Sequence, residues 1–181
     1  MKIIVDQIQD KKPFSLHVEE KIESFPVLSG MQHTGDITFT GPIRSDITIE
    51  REYDHLRAVG RVAVTVSMAC SRCLARYEAV IDSSFTIIFR KGTALDAVEE
   101  DEIELNEQDL ISSSYSGNEI DFTHELEEQV TMEIPLKPLC SETCKGLCPV
   151  CGIDLNKASC DCSRGGFSLK FSALKDFKVS R

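Results

Sequence analysis

No stretch of this sequence approaches the roughly 18 consecutive apolar residues of a bilayer-spanning helix, so none is predicted. The opening Met1-Lys2-Ile3-Ile4-Val5-Asp6 has no long apolar run and no small-residue cleavage site, and the expectation is a cytoplasmic chain. There is no Gly-rich phosphate loop and no Gly-x-Ser-x-Gly nucleophile elbow. His124-Glu125-Leu126-Glu127-Glu128 begins like a metalloprotease helix but has Glu128 where the second histidine should stand. His17-Val18-Glu19 lacks the Pro-Cys-x-x-Cys partner of a zinc deaminase, because Leu147 precedes Cys148. Both read as ordinary surface residues, and the expectation is a protein that is not an enzyme and takes no small-molecule substrate.

Positive charge is missing from a long stretch: Gly92 to Leu136 contains no Lys or Arg. Its most acidic part, Asp96 to Asp109, holds eight carboxylates in fourteen residues. Such a run cannot pack as a core, so it reads as a solvated loop or as an acidic contact for a basic partner. The whole chain has a net charge of −10, which opposes non-specific adhesion to nucleic acid or to an anionic membrane. The imbalance is uneven, with a net −14 over residues 1–134 and +4 over residues 135–181.

What is present is enough for a core. At 181 residues, 41% of them hydrophobic, the chain suits one domain with an appendage. Ile37, Phe39, Ile43, Ile47 and Ile49 share one parity, interrupted at Gly41-Pro42, where a bulge or edge is predicted. Val62, Val64, Val66 and Met68 alternate with polar or small residues, and Tyr77, Ala79, Ile81, Phe85, Ile87 and Phe89 follow after a short break. Three strands with short connections predict an antiparallel meander, with Cys70-Ser71-Arg72-Cys73 at a hairpin tip. Ile3, Ile4, Val5 and Ile8 predict one more strand, whereas Leu16 to Phe25 fits helix or strand. Phe122, Leu126, Val130 and Ile134 recur every fourth residue after Asp121, predicting a long helix near 121–134 with Asp121 as its N-cap and Pro135 as its stop.

The fold class expected is therefore α+β: an antiparallel β-meander, one long helix and a C-terminal zinc-binding segment. Residues 1–139 would form the β-rich part, with the acidic loop 96–109, and 140–166 a zinc-binding segment packed on the hairpin tip 70–73. Residues 167–181 would form a short basic amphipathic tail helix, with Phe171, Leu174 and Phe177 set against Lys170, Lys175 and Lys178.

The zinc expectation comes from the eight cysteines, which fall into four close pairs with none left over: 70/73, 140/144, 148/151 and 160/162. In a reducing compartment closely spaced thiols serve metal or redox chemistry more often than disulfides. Zinc–sulfur bonds of about 2.3 Å put two sulfurs of a tetrahedron about 3.8 Å apart, a separation that a turn of two or three residues produces. Four thiolates per ion imply two structural zinc ions. Joining Cys148, Cys151, Cys160 and Cys162 closes one site over a short excursion. Cys70, Cys73, Cys140 and Cys144 then form the other, tying the hairpin tip to the segment after the helix. An alternative joins 140/144 to 148/151 and sends 160/162 to the hairpin. Iron is not excluded by four thiolates. A thiol-based redox or metal-sensing protein is the competing reading, since Arg72 inside Cys70-Ser71-Arg72-Cys73 could lower a thiol pKa. That pair joins two strands, however, and the other six cysteines would go unexplained.

The tip Cys70-Ser71-Arg72-Cys73-Leu74, the block Ile134-Pro135-Leu136-Lys137-Pro138-Leu139-Cys140, and the run Cys144-Lys145-Gly146-Leu147-Cys148-Pro149-Val150-Cys151-Gly152 stand in order. Asp154-Leu155-Asn156, Cys160-Asp161-Cys162 and Phe171-Ser172-Ala173-Leu174-Lys175 follow them. Together these resemble the bacterial YceD family from the central strands onward. The resemblance implies a non-catalytic ribosome biogenesis factor needed for accumulation or processing of large-subunit ribosomal RNA, and it supplies no catalytic residue. The partner implied is a ribosomal RNA precursor or a basic large-subunit ribosomal protein. Candidate contacts on the basic end are Lys137, Lys145, Lys157, Arg164, Lys170, Lys175 and Lys178, joined by Arg72 and Arg76 if the hairpin tip lies alongside. Each tetrathiolate zinc would carry about −2 and offset that positive charge locally.

Overall fold

The computed structural model describes residues 1–10, 12–35, 37–92 and 111–162. Its elements are β1 (Lys2–Ile4), β2 (Phe14–Glu20), α1 (Pro26–Thr34), β3 (Ile37–Phe39), β4 (Ile43–Glu52), β5 (His55–Ala69), β6 (Arg76–Lys91), β7 (Ser112–Tyr115), β8 (Glu119–Asp121) and α2 (Thr123–Glu133). The main sheet runs β2-β4-β5-β6-β7, with β3 also on β5, and β1 and β8 form a separate antiparallel pair. This is an α+β architecture.

The three parity-matched segments are β3 with β4, β5 and β6, and they pair antiparallel as expected. At Gly41-Pro42 the strand breaks in two. Residues 40–43 on one side face only 64–65 on the other, and Thr40 N–H still donates to Thr65 O at 2.9 Å. The extra residues bend the strand without ending its course along β5. The open choice at Leu16 to Phe25 resolves into strand, β2, followed by a 3-10 turn at Ile22–Ser24.

Two expectations about the elements need correction. The sheet is mixed, because β7 pairs parallel with β6, Ile88 opposite Ser112 through Lys91 opposite Tyr115. Ser112-Ser113-Ser114 has no apolar alternation, and backbone pairing along the end of β6 makes it a strand. The helix begins at Thr123, later than expected: Asp121 ends β8, and its Oδ1 accepts from Thr123 N–H at 3.0 Å and Thr123 Oγ1 at 2.6 Å. It ends at Glu133, and Ile134, the residue before Pro135, is extended. The expected acidic loop 96–109 and tail helix 167–181 lie outside the described residues.

The core fills one face of the sheet. Ile47 and Ile49 of β4, Leu56, Val62 and Val66 of β5 and Phe89 of β6 are buried beneath Leu28 of α1 and Leu126 and Val130 of α2. Phe89 and Phe122 meet edge to face with centroids 4.8 Å apart. Gly60 sits inside β5 because the Phe85 ring lies across it: a Cβ there would stand 2.6 Å from Phe85 Cζ and 2.9 Å from Asp46 O. Glu127 corrects the view of 124–128 as surface. It is only 5% exposed, and its Oε1 accepts from Val27 N–H at 2.7 Å in the first turn of α1.

Candidate metal centres

The longest hairpin of the fold, β5–β6, turns through Cys70–Ala75, where Cys70 N–H donates to Ala75 O and Leu74 N–H to Cys70 O, both at 2.9 Å. Leu74 adopts a positive φ of 60° to complete the turn. The chain returns to this tip after α2. Ser71 N–H donates to Pro138 O at 2.8 Å and Leu147 N–H to Arg72 O at 3.0 Å. Arg72 also holds the incoming segment by its guanidinium, which donates to Glu142 O at 3.2 Å and Cys144 O at 2.8 Å. Gly146 is required at this crossing: its φ is 75° and a Cβ would stand 2.9 Å from Arg72 O.

These contacts bring Cys70, Cys73, Cys140 and Cys144 together, their sulfurs all within 4.8 Å of one another. Cys70 Sγ lies 3.8 Å from Cys144 Sγ, and Cys73 Sγ 3.7 Å from Cys140 Sγ. Those separations match the edge of a tetrahedron of sulfur around a zinc-sized ion, about 3.8 Å. The second tetrad is Cys148, Cys151, Cys160 and Cys162, with the same 4.8 Å closeness. Cys148 N–H donates to Ile153 O at 2.8 Å, Gly152 N–H to Cys148 O at 2.9 Å, and Val150 N–H to Cys148 Sγ at 3.4 Å. Gly152 supplies the positive φ of 76° after the second ligand. The eight sulfurs thus group as 70/73 with 140/144 and 148/151 with 160/162. The alternative grouping is not the one the fold makes.

The donor set fits a closed metal site: four sulfurs each, with no carboxylate or imidazole among them. Backbone N–H groups of Cys140 and then of Cys73 and Arg72 bring the Cys70 thiol down to about 6 against the opposing effect of burial. The backbone around Cys151 and Val150 does the same for Cys148, also to about 6. Crowding works the other way for a second member of each set. Cys140 is pushed up to about 12, first by the Cys144 sulfur, and Cys162 to about 12, first by the Cys151 sulfur. One thiolate forms readily in each tetrad, and another keeps its proton until a cation compensates the charge. The first tetrad is the deeper one, with Cys70, Cys73 and Cys144 buried, whereas Cys151 is exposed and Cys160 and Cys162 are half-buried.

One contributor gave no sign in the spacing. Asn156 receives Lys145 N–H on its Oδ1 at 2.8 Å and donates from Nδ2 to Cys144 Sγ at 3.4 Å and to Asp154 Oδ1 at 2.8 Å. It comes from the loop between the ligand pairs of the second tetrad yet serves a sulfur of the first. Among the candidate basic contacts, Lys145 and Lys157 line one hollow of about 470 Å³ with Ser159 and Cys160, and Lys137 is exposed nearby in sequence. Arg76 donates to Gly35 O at 3.3 Å, and Arg72 is engaged as described. Arg164, Lys170, Lys175 and Lys178 lie outside the described residues.

No helix among the described residues is long and apolar enough to cross a membrane. No solved structure matches the chain. A chloroplastic protein of Arabidopsis thaliana called large ribosomal RNA subunit accumulation protein YCED homolog 1 is 28% identical over 142 residues, covering 68% of this chain and 44% of that one. Its namesake in Zea mays is 23% identical over 142 residues, 67% of this chain and 48% of that one. An uncharacterised Mycobacterium tuberculosis protein is 29% identical over 116 residues, 61% of this chain and 50% of that one. The chain spans about half the length of the curated relatives it matches. The family model described as large ribosomal RNA subunit accumulation protein YceD matches residues 58–178, a span that takes in most of the β5–β6 hairpin and all eight sulfurs, and the chain belongs to that family.

Proposed function

We propose that this chain is a non-catalytic ribosome biogenesis factor, acting in the cytoplasm, that is needed for accumulation or processing of large-subunit ribosomal RNA and is held together by two structural zinc ions. The observation that carries the reading is the pair of tetrathiolate nests inside the family-matched region. A closed four-sulfur site offers no open coordination position for substrate or water, so its contribution is architectural. Zinc at the first tetrad would fasten the hairpin tip to the segment after α2, and zinc at the second would fix the loop that carries Lys145 and Lys157. The partner is precursor ribosomal RNA or a basic large-subunit ribosomal protein, with Lys137, Lys145 and Lys157 as the phosphate contacts on the described surface.

The test is co-sedimentation with large-subunit precursor particles, together with the large-subunit ribosomal RNA level in cells depleted of the protein. The expected result is association with the particles and a fall in that RNA relative to the small-subunit RNA. A protein that stays at the top of the gradient, with ribosomal RNA levels unchanged on depletion, would defeat the reading. Elemental analysis should give two zinc ions per chain.

A further inference from the structure

Strand β6 is paired by β5 from Arg76 to Arg90, but on its other side β7 covers only Ile88 to Lys91. Ile88 N–H donates to Ile111 O at 2.9 Å, so Ile88 turns its backbone groups to this outer side. The register against β5 is continuous, and alternation therefore turns the N–H and C=O of Glu78, Val80, Asp82, Ser84 and Thr86 to the same edge. Among the described residues no strand pairs with that part of the edge. Exposed edges of this length template the addition of another strand.

Below the edge runs α2, which Ser83 Oγ joins through Gln129 Oε1 at 3.3 Å. Between them lies a groove of about 520 Å³, lined by Ile87 and Ile111 on the strand side and by His124, Glu125, Glu128, Gln129 and Met132 on the helix side, where His124 Nε2 stands 3.7 Å from Glu128 Oε1 at the exposed rim. Met132 is 68% exposed, and Val80 on the edge itself is 66% exposed. Glu125 Oε1 accepts from Ser113 Oγ at 2.9 Å, whereas its Oε2 is covered by protein and has no hydrogen-bond partner among the described residues. A covered carboxylate oxygen without a donor is costly, and a guanidinium or ammonium in the groove would supply one.

We infer that the outer edge of β6 and the groove beside α2 bind an extended basic segment of a partner protein, which adds as a strand along residues 78–86 and places Arg or Lys side chains against Glu125 and Glu128. Charge selects this occupant. The groove carries carboxylates in a stretch, Gly92 to Leu136, with no Lys or Arg. A second copy would bring Glu78, Glu125 and Glu128 against their own kind, and a nucleic acid would bring phosphates. Backbone hydrogen bonds supply affinity in such strand addition and side-chain pockets supply selection. The inference deepens the assembly-factor reading and rests on it for the setting in which a basic protein is met.

The experiment titrates the full chain with a fluorescein-labelled peptide of alternating Arg and Val, eight residues long, and with its Glu-Val counterpart as control. Ser84→Pro removes an N–H that points away from β5 and obstructs strand addition, yet proline on an edge leaves the β5 ladder in place. Glu128→Lys reverses charge at an exposed position on α2. Both variants are first checked for unchanged circular dichroism. The expected result is saturable binding of the basic peptide only, weakened about tenfold or more by each variant, with backbone amide shifts of residues 78–86 on binding. Binding that is undiminished by Ser84→Pro, equal binding of the Glu-Val peptide, or amide shifts confined to other strands would each overturn the inference. Particle co-sedimentation is scored separately: a wild-type chain that joins particles but ignores the peptide fails here alone, and one that binds the peptide but joins no particle fails in the broader reading.

Discussion

The side-chain amide of Asn156 donates to the sulfur of Cys144 across 3.4 Å, so the loop of one tetrad holds a sulfur of the other. A hydrogen bond to a charged group contributes roughly 1.5–3 kcal/mol, and partners that orient metal ligands shift affinity by about 10–100-fold. Asn156→Ala should therefore weaken metal at the first tetrad by that order while the second keeps its own. Cobalt substitution checks it: the sulfur-to-cobalt charge-transfer band should lose about half its intensity to a chelator at a lower concentration than in the parent protein. A single, unshifted loss would mean that the contact does no positioning.

The two tetrads should differ in what their loss does. Cys148→Ser should release the loop 148–162 and leave the meander β4–β6 folded, because that site is local and partly exposed. Cys73→Ser should damage the whole domain, because it unfastens contacts far apart in sequence and structural zinc binding is worth on the order of 10 kcal/mol. Amide exchange resolved by residue distinguishes the two outcomes, and equal damage from both variants would contradict them.

Metal retention should fall as the solution is acidified, with a sign fixed by the thiols. Cys140 and Cys162, pushed up to about 12, hold protons at neutral pH that a metal must expel. Cys70 and Cys148, brought down to about 6, are already thiolates at neutral pH and add to the proton competition only below about 6. The logarithm of zinc affinity plotted against pH should rise throughout and be steeper below about 6 than above it. A competition titration against a zinc-sensitive dye measures the slope.

Gly60 should tolerate no side chain. Its Cβ would overlap Phe85 Cζ and the fixed carbonyl of Asp46, so Gly60→Ala should cost about 1–3 kcal/mol in denaturant unfolding. Trimming Phe85 to leucine in the same chain should recover only part of this, because the carbonyl contact remains.

Much of this was readable in the residues. Ile47, Val64 and Ile81 each face the core from a strand whose other face is wet, and a period of two follows directly from that asymmetry. The four cysteine pairs were readable too, because short turns keep each pair intact, and the short excursion from Cys151 to Cys160 favoured the grouping the fold makes over its alternative. Helix α1 was not: among its residues only Leu28 is buried, Gly30 lies within it, and the carboxylate that meets its first turn, Glu127, comes from another helix. Strand β7 opens on three serines with no apolar alternation before Tyr115, and its place beside β6 is set by backbone pairing. Asn156 stands in the Asp154-Leu155-Asn156 motif, but its hydrogen bond to Cys144 twelve residues earlier follows from how the loop folds back and not from any spacing between ligands.

The clasp formed by Cys70, Cys73, Cys140 and Cys144 has a consequence for the distant edge of the sheet. Closing residue 73 onto residue 140 makes the intervening chain a ring, and β6, β7 and α2 all belong to it. Both walls of the groove are therefore arcs of one loop whose ends would be joined only while a metal holds the clasp. Linkage then makes the two events reciprocal: whatever factor the metal adds to the affinity for a strand at β6, the bound strand returns to the affinity for the metal.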